Sequence, residues 1–311
     1  MRLPMIMSAI LWGSVTMADA PRVATDIAPV HSLVAQVMEG VGAPDLIVRP
    51  DASPHGYAMR PSEAAALAEA DLVVWVGPEL TPWLAGSIDT LGVDAAQIVL
   101  LEAEETRLLP LREGIAFEIE HDDHDEHDDH GDDHDHDQEH IEGHDPHAWL
   151  DPVNAQAWLR VIAAELSVLD TENAETYQAN AERGIEDLNR LMGEVERDLT
   201  AARGIPFLVM HDAYQYFETR FDLPAVSAIS LGDASRPGAA RLDELRELSA
   251  ERGVACVLHE PQFETRITGA ILGDEVTRSE LDPIGAAQEP GAGHYAALIR
   301  AMAAGFAACA G

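Results

Sequence analysis

Short runs of apolar and β-branched residues alternate along this chain with longer stretches of helical spacing, and this alternation constrains the fold more than any other feature. The run at 71–76 is almost continuously apolar, as expected for a strand covered by helices on both faces. Similar short runs occupy 22–25, 45–49, 98–101, 207–210, 225–229, 254–258 and 275–280. The pattern predicts parallel strands joined by crossover helices.

A stretch without proline divides the alternating pattern in two. Residues 171–203 are rich in helix-forming residues and predict a helix of about 45 Å, at about 1.5 Å per residue. The sequence therefore predicts an α/β protein with two lobes, each a mainly parallel sheet flanked by helices, joined by one long connecting helix. We place the N-terminal lobe at 21–170, the linking helix at 171–203 and the C-terminal lobe at 204–311.

The first 20 residues have the pattern of an export signal. Arg2 is followed by an apolar run over 5–12 and then by Ala18-Asp19-Ala20, a small-x-small pattern that predicts cleavage near Ala20. The apolar run is too short to span a bilayer permanently. A buried first helix is the alternative. The pattern favours an exported protein.

The charge of the chain excludes one class of function. The 19 basic residues, all Arg, face 56 acidic ones, and the formal net charge is −37. Such a chain repels phosphate backbones, so nucleic acid is excluded as a partner. Residues 118–145 hold fifteen of the acidic residues and eight of the fourteen His, and this composition predicts a disordered loop.

The two cysteines, Cys256 and Cys309, both lie in the C-terminal half. In an oxidising compartment such a pair can form a disulfide, which would close a loop of about 54 residues and stabilise by roughly 4 kcal/mol. Two separate buried thiols are the alternative.

Candidate metal ligands stand at four junctions between predicted elements. These are His55 after the second strand, His147 before a helix, His211 directly after a strand, and Asp282 after the last strand. Each taken alone fits a capping or surface residue, and Asp145, just before His147, could simply initiate a turn. Ligands in open α/β sheets gather beyond the carboxyl ends of strands, and three imidazoles with a carboxylate or water suit Zn²⁺.

Four motifs resemble those of the metal-specific solute-binding proteins of bacterial zinc and manganese ABC importers. They are Ser53–Ser62, Asp145–Pro152, His211–Phe217 and Leu281–Gly285, in the family's order and across nearly the whole mature chain. The resemblance implies two α/β lobes with metal in the cleft between them, bound at His55, His147, His211 and Asp282. Manganese-selective relatives have Glu where this chain has His211, so the zinc branch is favoured.

The resemblance also implies a role. A periplasmic, monomeric receptor captures Zn(II) as its cargo and delivers it to an ABC permease in the inner membrane, with a periplasmic zinc chaperone as a further candidate partner. Zinc relatives also tend to carry a His-rich insertion and a C-terminal disulfide, which here would be Cys256–Cys309. We expect no enzymatic activity.

Two points stay open. Some zinc relatives have Glu before the first His, where this chain has Pro54, so the fourth ligand is Asp282 or a water. Asp282 could instead hydrogen-bond a coordinating His. The acidic loop is either an inert linker or a collector of several weakly bound zinc ions, the interpretation we favour, through His121, His124, His127, His130, His134, His136, His140 and His144.

Other functions remain alternatives. A manganese receptor of the same family and a zinc storage or adhesion protein are two of them. A zinc hydrolase is the third, but it needs a general base such as Glu beside an open coordination position. No His-Glu-x-x-His pattern occurs, and Glu260, the nearest candidate base, fits a strand-end cap or a local contact better.

Overall fold

The computed structural model describes residues 20–117, 143–230, 237–261 and 276–311, together with Gly269 and Ile271. Residues 1–19 of the predicted export signal lie outside the described residues. So do residues 118–142, which hold seven of the eight histidines of the acidic segment. In the part of the chain that is described, no helix is long and apolar enough to cross a membrane.

The N-terminal lobe is a parallel sheet with a helix between each strand and the next. Its strand order is β2-β1-β3-β4, so β1 and β3 are central. All seven residues of these two strands are buried, because helices cover both faces. The elements are β1 (Val23–Thr25), α1 (Ala28–Val37), β2 (Asp45–Leu46), α2 (Pro61–Ala68), β3 (Leu72–Trp75), α3 (Pro82–Leu91) and β4 (Ala96–Val99).

The C-terminal lobe repeats this topology. Its strands run parallel in the order β6-β5-β7-β8, so β5 and β7 are central. The elements are β5 (Phe207–His211), α6 (Gln215–Phe221), β6 (Ser227–Ser230), α7 (Ala239–Arg252), β7 (Cys256–His259), β8 (Thr277–Glu280) and α8 (His294–Ala307). Two parallel sheets flanked by helices confirm the predicted fold class.

Two long helices, α4 (Pro152–Leu169) and α5 (Ala174–Asp198), lie between the sheets in sequence. The buried residues of α5 recur every three or four positions, so one face packs inward. That face contacts α4, and α5 also contacts α1 of the first lobe and α8 of the second. At Gly184 a Cβ would stand 2.8 Å from Leu159 Cδ1, so glycine is what lets α5 approach α4 here.

Some elements are shorter than predicted. Helix α5 has 25 residues, about 37 Å, because Asp170 starts a turn in which its carboxylate accepts hydrogen bonds from the Asn173 amide (2.7 Å) and the Tyr177 hydroxyl (2.8 Å). After Asp198 the chain continues as a 3₁₀ turn, Leu199–Ala201. Strand β2 covers only Asp45–Leu46 of the predicted 45–49.

A disulfide joins Cys256 at the start of β7 to Cys309 just after α8, with their Cα atoms 5.5 Å apart. This confirms the pairing over the alternative of two separate thiols. The bond fastens the last helix to a central strand of the C-terminal sheet.

Candidate metal centre

Three histidines meet where the lobes face each other. His55 lies on the loop between β2 and α2, His147 directly precedes a 3₁₀ turn, Ala148–Leu150, that leads into α4, and His211 is the last residue of β5. One ring nitrogen from each lies within 4.8 Å of the others. The ring centroids of His147 and His211 are 5.2 Å apart, and that of His55 is 5.6 Å and 6.4 Å from them. The three histidines, called the triad below, are close enough together to hold one metal ion.

His147 is oriented by the carboxylate of Asp145. The Nδ1 atom of His147 is 2.6 Å from Asp145 Oδ1, and the His147 backbone N–H donates to the same oxygen. Burial raises the pKa of Asp145 to about 6, and the His147 N–H bond opposes this rise. A proton held on Nδ1 leaves the lone pair on Nε2 for a metal.

His211 is oriented in the same way by Glu260. Its Nδ1 atom lies 2.5 Å from Glu260 Oε1, and both side chains are buried. Glu260 directly follows β7, which pairs with β5, so the carboxyl ends of these neighbouring strands bring the two residues together. From sequence alone, Glu260 is a candidate general base, a strand-end cap or a residue with a local contact. The strand order β5-β7 was the missing information.

Asp282 lines the same cleft. Its carboxylate accepts hydrogen bonds from the backbone N–H groups of Ile284 (2.9 Å), Gly285 (3.0 Å) and Ala286 (2.7 Å). Asp282 therefore shapes the turn after β8, and the triad of close ligand atoms consists of the three histidines. Ligation by Asp282 stays a prediction.

The segment that carries His147 is held by the C-terminal lobe. The Trp149 indole N–H donates to Pro283 O (2.7 Å), and the Tyr295 hydroxyl donates to Trp149 O (2.7 Å). The Tyr216 hydroxyl donates to Asp145 O (2.9 Å). Two further bonds of 2.7 Å join Arg220 to Asp151, the N-cap of α4. His147 and His211 are therefore both held in place by the C-terminal lobe.

A half-buried arginine fixes the chain just after His211. Arg112 hydrogen-bonds to Asp212 (3.0 Å from Nε to Oδ1) and to Glu218 on α6 (2.7 Å). Burial alone would lower the pKa of Arg112, but the two carboxylates hold it above its usual range. Nearby, Phe117 N donates to Val226 O, so residues 112–117, placed by sequence in the N-terminal lobe, contact the C-terminal one.

Of the histidines proposed as weak sites, the structure describes His144. It is exposed and forms an isolated antiparallel bridge with Pro110, which leads the chain back to Asp145 and His147. His121, His124, His127, His130, His134, His136 and His140 lie outside the described residues.

Two similar α/β lobes with a histidine triad between them define a two-lobed, metal-binding solute-binding protein. Residues 23–309 match the family described as zinc-uptake complex component A, periplasmic. The chain belongs to this family.

Relatives and solved structures agree with this assignment. The chain is 42% identical over 308 residues to the high-affinity zinc uptake system protein ZnuA of Paracoccus denitrificans, covering 94% of this chain and 93% of that protein. It is 38% identical to that of Brucella abortus, with coverages of 94% and 92%. The fold superposes on a crystal structure of ZnuA with a TM-score of 0.72 at 22% identity, covering 93% of this chain and 98% of the other.

Proposed function

We propose that this protein captures Zn(II) in the cleft between its lobes, using ring nitrogens of His55, His147 and His211. The observation that carries the proposal is the triad itself, with nitrogens within 4.8 Å of one another. Buried carboxylates behind two of the rings orient them and raise their basicity, as in many protein zinc sites. Asp282 or a water completes a roughly tetrahedral set.

The donor set favours zinc over manganese. Three imidazoles suit Zn²⁺, whereas Mn²⁺ prefers carboxylate, carbonyl and water oxygens. Asp145 and Glu260 bind ring Nδ1 atoms, which occupies an oxygen of each in orienting the histidines. The Paracoccus and Brucella relatives, named high-affinity zinc uptake proteins, support the same choice.

The receptor role follows from the family. A periplasmic component of a zinc uptake complex hands its metal to a membrane permease, so we propose an ABC permease of the inner membrane as the partner. A periplasmic zinc chaperone remains a further candidate partner, and we expect a monomer. We include in the proposal export with cleavage near Ala20 and weak zinc binding by the acidic loop. The proposed lobes are residues 21–170 and 204–311, joined by the linking segment 171–203.

Titration of metal-free protein with zinc, against a chromophoric chelator, tests the proposal. We expect one tight site that His147→Ala weakens on the order of 100- to 1000-fold, while His31→Gln on α1, outside the triad, leaves its affinity unchanged. Several equal weak sites would favour a storage protein, and a zinc-dependent hydrolytic activity would favour an enzyme. Preference for Mn²⁺ over Zn²⁺ would favour the manganese branch.

A further inference from the structure

The loop that carries His55 is tied to helix α3 by the indole of Trp83. The Trp83 Nε1–H donates to the carbonyl oxygen of Pro54 over 2.7 Å. Pro54 is the residue directly before His55 and lines the metal cleft. We propose that Trp83 is a positioning residue for zinc binding that sets the direction in which His55 enters the site. This inference rests on the zinc site proposed above.

The geometry of a peptide explains why this one bond has leverage. The Pro54 carbonyl and the His55 N–H belong to the same planar peptide, so fixing the oxygen fixes the plane from which the His55 Cα projects. The pyrrolidine ring of Pro54 already fixes its own φ near −65°. The indole bond then fixes ψ of Pro54, the remaining soft torsion of that residue.

Trp83 can hold the loop because its own position is well fixed. It is the second residue of α3, next to Leu84, which is fully buried. Its ring packs against Tyr57 of the His55 loop, with centroids 5.7 Å apart. The Tyr57 hydroxyl donates to Glu63 on α2 over 2.8 Å. The indole is thus held between a helix and an aromatic ring that is itself anchored.

Trp83 acts at a different level from the carboxylates. Asp145 and Glu260 bind ring nitrogens and so set the tautomer and rotation of an imidazole. Trp83 binds backbone, so it sets where the third imidazole starts. Because the proposed site takes residues from both lobes, the bond from Trp83 to Pro54 would determine where His55 of the N-terminal lobe is placed.

A double-mutant cycle on zinc affinity tests this inference. Trp83→Phe keeps an aromatic ring against Tyr57 but removes the N–H, and we expect zinc to bind about five- to tenfold more weakly, the effect of one net hydrogen bond. In the His55→Ala background, Trp83→Phe should change affinity less than about 1.5-fold, because the residue acts through His55. Trp83→Leu, which also lacks a donor, serves for the same cycle if the phenylalanine variant does not fold.

The matched control is Trp75→Phe. Trp75 is a buried tryptophan of the same lobe, and its Nε1 has no hydrogen-bond partner among the described residues. We expect Trp75→Phe to leave zinc affinity unchanged even if it lowers the melting temperature.

The outcomes separate this inference from the proposed function. Trp83→Phe without effect on zinc affinity would overturn it, as would an equal loss in the wild-type and His55→Ala backgrounds. In either case His147→Ala still tests the zinc site independently. If His147→Ala keeps the tight site, the proposed function fails instead.

Discussion

The two lobes share one topology but use it differently. In the C-terminal lobe, the central strand β5 ends in the buried His211, a proposed zinc ligand, and its neighbour β7 leads into Glu260, which orients that ring. In the N-terminal lobe, the central strand β1 leads into Asp26, and the proposed ligand His55 follows the short edge strand β2 on a loop and is half-buried. The same sheet topology therefore places a buried histidine on a strand in the C-terminal lobe and a half-buried histidine on a loop in the N-terminal lobe. The part of the proposed metal site that each lobe contributes is called its half-site below.

At the end of β1, the side chain of Asp26 is engaged in hydrogen bonds with the backbone. The Asp26 carboxylate accepts hydrogen bonds from Ile27 N and from Val76 N, each 2.8 Å long, and so ties β1 to the end of β3. The end of the central strand thus carries His211 in the C-terminal lobe and the structural carboxylate of Asp26 in the N-terminal lobe. Topology alone does not make a metal site, because the residues at the strand ends decide it.

The largest expected effect concerns Asp26. Burial raises its pKa from 3.8 to about 7, against the opposing Val76 and Ile27 bonds. Since the folded state holds this proton more tightly than the unfolded one, the contribution of Asp26 to stability is fullest below about pH 4 and is lost as pH rises to about 7. The loss is on the order of 4 kcal/mol.

Unfolding of the metal-free protein in urea from pH 4 to 8 measures this decline. Asp26→Asn should remove that component, whereas Asp89→Asn, an exposed carboxylate on α3, should keep the wild-type slope. Equal pH slopes for wild type and Asp26→Asn would contradict the assignment.

Removal of single ligands sharpens the contrast between fixed and loop-borne histidines. If zinc binding provides about 10–16 kcal/mol, each of four ligands accounts for roughly a quarter, or on the order of 100- to 1000-fold in affinity. We expect His211→Ala to reach the upper end, since it also leaves Glu260 buried without its partner. His55→Ala should stay at the lower end, because water can replace a half-buried ring.

Competition titrations of both variants against one chelator give the ratio directly. Equal losses, or a larger loss for His55→Ala, would remove the distinction between the two half-sites.

The carboxylates behind the rings come next. Glu260→Gln should weaken zinc binding about 10- to 100-fold, because an amide fixes the His211 tautomer less firmly than a carboxylate and does not raise the basicity of the ring. Asp145→Asn should have a similar effect at His147. Asp51→Asn is the control, since Asp51 also lines the cleft but is exposed and pairs with Arg49. A comparable loss in Asp51→Asn would mean that net charge, rather than orientation of the rings, sets the affinity.

Much of this organisation could be predicted from sequence, because it is written in local patterns. Buried parallel strands read as apolar runs, and His211 ends one of them, while His55 and His147 stand in short motifs on the connecting segments. Glu260 as partner of His211 could not be found this way, since the pair is 49 residues apart and depends on β5 lying next to β7. Arg112 was missed for the same reason, being 100 residues from Asp212.

The smallest expected effect tests whether contacts with the C-terminal lobe hold His147 in place. Tyr216 on α6 accepts a hydrogen bond from Leu109 N (2.9 Å) and donates one to Asp145 O, so its hydroxyl anchors the residue that orients His147. Tyr216→Phe should weaken zinc binding about two- to tenfold, as expected for lost hydrogen bonds. Tyr177→Phe is the matched control, because this buried tyrosine bonds to Asp170 between α4 and α5. Both variants should lower the melting temperature, but zinc affinity should fall only in Tyr216→Phe. An unchanged affinity there would mean that Asp145 and His147 keep their places without the Tyr216 hydroxyl, and that the bonds of Trp149, Tyr295 and Arg220 are enough to hold this segment against the C-terminal lobe.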